Sequence, residues 1–323
     1  MKKAFITGIT GQDGSYLAEL LVSKGYHVIG LDIHTSAKDS IHLTSIIDQI
    51  TVVEGDLNNS DLIKHIISSQ KPDEIYNLAS LSYVPSSWEM VNQNIDINAR
   101  AVANLLESIR QFSPRSRMYQ ASSSEMFGIP NKVPQDITTA FAPRNPYAAA
   151  KAFAHWLITC YRTTYDTYTV SGILYNHESP RRPTQFVTRK ITSTAARIKY
   201  GLADSLPLGN LDAKRDWGYA GDYVKAMWLM LQQDKPADYV IGSGKLHTVA
   251  DLCNLAFSHV GLDYRDYVVQ DPKFIRQVEH YDLVADPSAA IEKLGWEPEV
   301  DFTSLVKKMV DHDLFIIKNQ LEG

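Results

Sequence analysis

The run Ala4-Phe5-Ile6-Thr7-Gly8-Ile9-Thr10-Gly11-Gln12-Asp13-Gly14 joins a short apolar strand pattern to three spaced glycines. Glycines in a strand-to-helix turn let the backbone bend sharply and approach a pyrophosphate, which the first amides of the following helix then face. A glycine triplet alone describes any tight turn. A second pattern downstream, Tyr147-Ala148-Ala149-Ala150-Lys151, gives it direction. Residues four apart share a helix face. An ammonium beside a phenol favours the phenolate, which accepts a proton from an alcohol under oxidation. In this order the two patterns predict an enzyme dependent on a nicotinamide dinucleotide.

Working outward, short apolar runs alternate with amphipathic stretches through the first half of the chain. Ala4 to Thr7, His27 to Asp32, Ile50 to Gly55, Glu74 to Leu78, Met118 to Ser122 and Val170 to Leu174 read as strands. Ser15 to Lys24 (stopped by Gly25), Asp61 to Ser69, Asn98 to Gln111 and the stretch from Tyr147 to about Tyr165 read as helices. Such alternation predicts an α/β fold with a doubly wound parallel sheet of Rossmann type. After Leu174 the pattern loosens. Glu178 to Gln185 reads as irregular, Phe186 to Tyr200 as a helix and Leu206 to Leu208 as a short strand. Tyr219 to Gln232 reads as an amphipathic helix that packs back on the first domain, and Val249 to Val260 and Phe302 to Lys318 complete a mixed region. The expected division is a dinucleotide-binding domain, 1–175 plus part of 210–245, and a smaller mixed α/β substrate domain, mainly 176–209 and 246–323.

The chain has 323 residues, enough for a sizeable core, with 44% apolar and 21% charged residues. A net charge of −5 argues against non-specific nucleic-acid binding while allowing a local basic patch for an anionic ligand. The two cysteines, Cys160 and Cys253, lack metal-ligand or redox spacing, so no metal site is expected. Their apolar surroundings predict buried thiols in a reducing compartment. No stretch reads as a signal peptide or a membrane span, and a cytoplasmic protein is expected.

Asp32 ends the second strand, where a carboxylate can accept hydrogen bonds from a ribose diol and repel a 2′-phosphate, favouring NAD over NADP. Asp56, in Gly55-Asp56-Leu57, is placed to hold an adenine amino group or to cap a helix. Ser122-Ser123-Ser124-Glu125 follows a strand and so lies at the ligand end of the sheet. Its hydroxyls can bond a sugar oxygen and its carboxylate is a candidate acid/base.

Beyond these residues the resemblance becomes specific. The chain resembles the extended short-chain dehydrogenase/reductases, and within them the GDP-mannose 4,6-dehydratase family. The glycine run through Leu17 carries the resemblance, with Ile75-Tyr76-Asn77-Leu78-Ala79, Tyr119-Gln120-Ala121-Ser122-Ser123-Ser124-Glu125 and Asn176-His177-Glu178-Ser179-Pro180-Arg181-Arg182. So do Phe186-Val187-Thr188-Arg189-Lys190-Ile191 and, most distinctively, Leu208-Gly209-Asn210-Leu211-Asp212-Ala213-Lys214-Arg215-Asp216-Trp217-Gly218. The resemblance implies a cofactor-recycling elimination on a GDP-sugar. Tyr147, helped by Lys151, takes the proton of the sugar 4-hydroxyl while hydride leaves C4. Glu125 acts at C5 and on the departing 6-hydroxyl, and hydride returns to C6. Ser123 stands where the family has threonine and keeps a hydroxyl for the C4 oxygen. Gly8, Thr10, Gly11, Gln12, Asp13, Gly14, Asp32, Asp56, Leu57, Leu78 and Ala79, with Tyr147 and Lys151, are the implied NAD(P) contacts. Ser82, Ser123 and Asn176 are implied at the sugar or phosphate, Val187, Lys190, Gly209 and Arg215 at guanine and diphosphate, and Arg276 and Glu279 at phosphate and ribose. Two arginines and a lysine suit a diphosphate, because guanidinium forks match its oxygens.

The chain also departs from the family. Asp32-Ile33-His34-Thr35-Ser36 and a shortened loop replace the arginines that read an NADP 2′-phosphate and join a tetramer-forming arm. Leu81, Tyr83, Pro183-Thr184 and Gln277-Val278 replace residues common near the substrate, which is compatible with a modified hexose or a heptose. A GDP-sugar 4-reductase, epimerase or 4-dehydrogenase on the same scaffold is the second enzyme reading, since Glu125 also occurs in other branches. A nucleotide-sensing protein without turnover is the non-enzymatic one. A homodimer through a four-helix bundle is expected. In it Val102, Leu105, Leu106 and Ile109 spread around one helix, and Phe153, Trp156, Leu157 and Cys160 broaden the apolar surface of the other.

Overall fold

The computed structural model describes residues 1–33, 41–274 and 281–322. Its elements follow the chain as β1 (Lys3–Thr7), α1 (Gln12–Ser23), β2 (His27–Asp32), β3 (Ile50–Glu54), α2 (Ser60–Gln70), β4 (Glu74–Asn77), α3 (Val91–Ile95), α4 (Ala101–Phe112), β5 (Arg117–Ser123), α5 (Pro146–Tyr165) and β6 (Thr169–Leu174). Then come β7 (Asn176–Glu178), α6 (Val187–Lys199), β8 (Leu206–Leu208), β9 (Lys214–Tyr219), α7 (Ala220–Met230), β10 (Tyr239–Ile241), β11 (Leu246–Thr248), α8 (Val249–His259), β12 (Val268–Gln270), α9 (Ser288–Leu294) and α10 (Phe302–Glu322).

Seven strands form one sheet in the order β3-β2-β1-β4-β5-β6-β10, and every neighbouring pair is parallel. The doubly wound α/β fold read from the sequence is the fold observed. Side chains alternate across the sheet, as the period-two pleat requires. Ala4, Ile6, Val28, Tyr76 and Tyr119 face α1 and α7, whereas Phe5, Ile29, Ile75 and Met118 face α2, α4 and α5. The strand order reverses between β1 and β4, the place where ligands settle outside the carboxyl ends of such a sheet.

Most expected elements match within a few residues, and the differences have local causes. α1 starts at Gln12 rather than Ser15, so Gly14 is helical and the turn is shorter. Glu178 to Gln185 is not wholly irregular, because Asn176 to Glu178 pairs in parallel with β9. The helix expected over Asn98 to Gln111 is present and extends further back: α3 leads through a π-helical turn, Asp96–Arg100, into α4. Val102, Leu105, Leu106 and Ile109 do not spread around that helix. They recur at a single-face spacing, and all are buried in the core that α4 shares with the sheet, α2 and α5. Cys160 is exposed, contrary to expectation, because it sits on the outward face of α5, while Cys253 is buried. Among the described residues, no helix is long and apolar enough to cross a membrane.

The remaining helices build a second core, where α10 packs across α6 and α8 and Trp217 stacks on Phe302 at 5.7 Å. Arg189 of α6 and Asp313 of α10 form a buried ion pair there. A three-stranded sheet, β11-β9-β7, carries this core to the main sheet. The segment after β7 docks onto α1 through polar contacts. Ser179 Oγ donates to Gln12 Oε1 at 2.8 Å, and Arg181 donates to Ser15 Oγ at 3.1 Å and pairs with Glu19 at 2.7 Å.

Candidate active site

The glycine turn is shaped by close approach. Gly8 has φ +72°, and a Cβ there would lie 3.0 Å from the Ala79 backbone. The turns after β1 and β4 therefore touch at the switch point, which places Leu78 and Ala79 beside the glycine loop. A Cβ on Gly14 would lie 2.2 Å from the Gly8 carbonyl oxygen, so only glycine lets α1 begin this close to the turn. Gly11 caps α1 without a side chain, leaving the first-turn amides of Gln12, Asp13 and Gly14 for a ligand. Thr10 donates to Asp32 Oδ2 through its amide (3.1 Å) and hydroxyl (2.6 Å), which fixes the Asp32 carboxylate against the loop. A cradle that admits no side chain, an uncapped helix N-terminus and a carboxylate at the end of β2 suit a dinucleotide. Asp56 caps no helix: its carboxylate accepts from the Asn58 amide, and Asn59 caps α2 through the Leu62 amide. Leu57 is buried beneath that turn.

β5 ends at Ser123, which accepts the Glu125 amide at 3.3 Å, so the serine and the carboxylate stay together at the ligand end of the sheet. α5 runs beside them. Its first turn is set by Asn145, which accepts the Ala148 amide at 2.8 Å, and by Pro146. Tyr147 and Lys151 are both buried. Burial drives the Tyr147 phenol up to about 12, while the Ser123 and Ser80 hydroxyls and the Arg182 charge pull it down and Glu125 opposes them. Burial lowers the Lys151 ammonium to about 8 against the field of Asp13. Its Nζ donates to the Ala121 carbonyl at 2.9 Å and lies 5.8 Å from the centre of the Tyr147 ring. Glu125 Oε2 accepts from Asn145 Nδ2 at 3.2 Å.

Sequence reasoning missed a second group at the glycine loop. His177 Nε2 lies 2.8 Å from Asp13 Oδ2, its Nδ1 lies 2.7 Å from the Tyr175 carbonyl, and its ring stacks on Tyr223 at 4.6 Å. Both ring nitrogens face acceptors, which is the setting of an imidazolium. Burial lowers the imidazole, but the charge and hydrogen bond of Asp13 outweigh it and raise the group overall. Burial likewise pushes Asp13 up, and His177 with Arg182 holds it below its ordinary value. Gln12 donates to the His177 carbonyl at 3.0 Å. Arg182 pairs with Glu178 at 3.3 Å and lies over the Phe186 ring. Nothing in the local spacing foretold the contacts of His177 with Asp13 and Gln12, because those partners lie more than 160 residues away in the sequence.

The residues expected at the nucleotide sugar are spread over several elements. Ser82 is exposed in the turn after β4, Asn176 opens β7 and Val187 begins α6. Lys190 donates to the Pro207 carbonyl and sits over the Phe274 ring, tying α6 to β8 and to the segment that leads to Arg276. Gly209 follows β8. Arg215 lies in β9 opposite His247 and donates to the Lys214 carbonyl. Arg276, Gln277-Val278 and Glu279 lie outside the described residues, as do His34-Thr35-Ser36. A cavity of about 660 Å³ opens on another side of α5, by Phe141, His155, Trp156 and Tyr239, and holds none of the reacting groups. Among the described residues, no group of three or more His, Cys, Asp or Glu side chains is arranged to hold a metal.

A Rossmann sheet with this glycine turn, a serine and a carboxylate after β5 and a tyrosine–lysine pair on α5 defines an extended short-chain dehydrogenase/reductase. Solved structures show the same fold. The UDP-glucose 4-epimerase of Thermotoga maritima, solved with UDP-glucose, superposes with a TM-score of 0.87 at 24% identity, covering 99% of each chain. The dTDP-glucose 4,6-dehydratase of Bacillus anthracis, solved with NAD, gives a TM-score of 0.85 at 21% identity, covering 99% of this chain and 98% of that one. The sequence is more specific. Residues 5–309 match the family described as GDP-mannose 4,6 dehydratase. GDP-mannose 4,6 dehydratase 1 of Arabidopsis thaliana is 47% identical over 331 aligned residues, covering 99% of this chain and 91% of that protein. The chain belongs to the GDP-mannose 4,6-dehydratase family.

Proposed function

We infer that this protein is a nicotinamide-dependent GDP-mannose 4,6-dehydratase, which removes water from GDP-mannose to give the GDP-4-keto-6-deoxy sugar. The carrying observation is that a chain matching the family over residues 5–309 keeps Ser123 and Glu125 at the end of β5, with Asn145 of the α5 N-terminus bonded to Glu125. Tyr147 accepts the proton of the sugar 4-hydroxyl, with Ser123 bonded to the same oxygen. Lys151 holds positive charge beneath them. Glu125 takes the C5 proton, made acidic by the C4 ketone, and delivers a proton to the departing 6-hydroxyl, work that needs one group able to accept and to donate. The glycine loop, Asp32 and the first turn of α1 hold the dinucleotide. When bound there, the nicotinamide would supply the acceptance of hydride from C4 and its return to C6.

Asp32 supports a preference for NAD over NADP. The GDP end falls to Asn176, Val187, Lys190, Gly209 and Arg215, with Arg276 and Glu279 beyond them, and Ser82 borders the sugar. The apolar strip on α5 supports a homodimer. The test of the activity is mass spectrometry of GDP-mannose incubated with the enzyme and a trace of cofactor. A product lighter by one water, formed many times per cofactor, is expected. A stoichiometric change in cofactor absorbance would instead identify a reductase or dehydrogenase, and binding without product would identify a sensor.

A further inference from the structure

Asn145 is bonded at both ends of its amide. Its Oδ1 accepts the Ala148 amide at 2.8 Å, and its Nδ2 donates to Glu125 Oε2 at 3.2 Å. The two bonds fix the orientation of the side chain. The helix N-terminus offers only hydrogens, so the amide oxygen must face it, and the NH₂ must face the carboxylate. Pro146 sets the backbone just beyond, and the Glu125 amide is pinned on Ser123. The carboxylate thus has one oxygen engaged by a donor from the helix that carries Tyr147, and the other, Oε1, left for proton traffic.

We propose that Asn145 is a positioning residue for the elimination, holding Oε2 of Glu125 so that Oε1 alone takes the C5 proton and passes it to the leaving oxygen. This rests on the dehydratase reading. In the step, the C5–H bond breaks and its proton goes to Oε1. The electron pair of that bond forms the C5–C6 double bond as the C6–O bond breaks. The proton on Oε1 joins the departing oxygen as water, and Glu125 is again a carboxylate. The cap also couples the two proton-handling groups, since Tyr147 lies two residues beyond Asn145 on the same helix turn.

Asn145→Ser separates the two bonds, because serine caps a helix about as well as asparagine but is too short to reach Glu125. Asn145→Asp keeps the cap and turns a carboxylate oxygen toward Glu125. Both are compared with wild type in single turnovers with GDP-mannose, following reduced cofactor by absorbance for C4 oxidation and product mass for water loss. Melting temperature and the pH profile of kcat are measured alongside. Removing a donor from a carboxylate makes it hold its proton more tightly, and a second anion does so further. We expect C4 oxidation within about twofold and water loss slowed roughly tenfold to a hundredfold, at the scale of acid/base catalysis. The acidic limb of kcat should move to higher pH in Asn145→Ser and further in Asn145→Asp, with melting unchanged in both. Water loss at the wild-type rate with an unmoved limb would overturn the proposal. So would equal slowing of both steps in proportion to lost thermal stability. Failure of wild type to dehydrate GDP-mannose would overturn the dehydratase reading first, before any variant is compared.

Discussion

Asp32 and His177 carry the sharpest consequences at the scale of single residues. Asp32 is nearly buried, with Thr10 on one carboxylate oxygen and the Ile33 amide on the other at 2.8 Å. A 2′-phosphate at the end of β2 would meet this anion with little water between them. NAD is therefore expected to bind at least about tenfold more tightly than NADP, and calorimetric titration of apo-protein with each checks it. Tighter NADP binding would mean that another residue reads the phosphate. For the Asp13–His177 pair the pH dependence has a definite sign. His177 is raised from 6.5, so its contribution is complete below that pH and fades as pH rises through the folded value. Asp13 is lowered from 3.8, so its contribution is present above that pH and fades as pH falls through the folded value. Breaking a buried pair leaves one charge uncompensated, so His177→Gln is expected to cost about 3 kcal/mol near pH 5.5. The cost should shrink toward pH 9. Urea unfolding of both proteins at the two pH values measures it, and a cost that grows with pH would refute the ionic pair. These residues also mark the limits of reading a site from sequence. Ser123, Glu125, Tyr147 and Lys151 declare themselves by local spacing. Asn145 left a fainter signal, an asparagine directly before Pro146 at a helix start. His177 left none, because its partner is Asp13.

Among elements, the turn from β1 into α1 is the most constrained. A Cβ on Gly14 would sit 2.2 Å from the Gly8 carbonyl oxygen and 2.7 Å from Ile9 Cα, backbone atoms that cannot rotate away. Gly14→Ala must push α1 off the turn. We expect a loss of about 1–3 kcal/mol, the usual cost of overpacking. NAD affinity should fall by an order of magnitude or more, since the amides that face the pyrophosphate move with the helix. Chemical denaturation and NAD titration read the two effects. Unchanged NAD binding would show that these amides do not hold the ligand. α4 offers the opposite lesson. Its apolar residues suggested a broad surface, but their spacing of three and four places them on one face, which the sheet, α2 and α5 together bury. The π-helical turn before α4 was not legible, because an inserted residue in a helix leaves no compositional mark.

At the scale of the whole molecule, the outward face of α5 remains apolar. Phe153 and Trp156 are 52% and 57% exposed, and Val91 and Ile95 of the adjoining α3 are partly exposed as well. A strip of exposed large apolar side chains marks a contact surface, and a two-fold axis through it would let each subunit offer the same patch. Sedimentation at micromolar protein is expected to give a dimer of the 36.3 kDa chain, and Trp156→Glu is expected to shift it to monomer. A wild-type monomer would refute the surface, and a tetramer would show that the shortened loop after β2 does not limit assembly.

What the sequence determined by itself was the periodic and the local. Strand alternation fixes the parallel sheet, because strands buried on both faces and separated by helices have few other ways to pack. The glycine turn, the Ser123–Glu125 step and the Tyr147–Lys151 pair follow from bond geometry within a few residues. Tertiary structure decided the rest, since it depends on which distant groups meet in a low-dielectric interior. There burial raises the Tyr147 phenol, Asp13 meets His177 and Asn145 turns toward Glu125. Spacing along the chain encodes none of these, because each is set by the crossing of separate elements at the ligand end of the sheet.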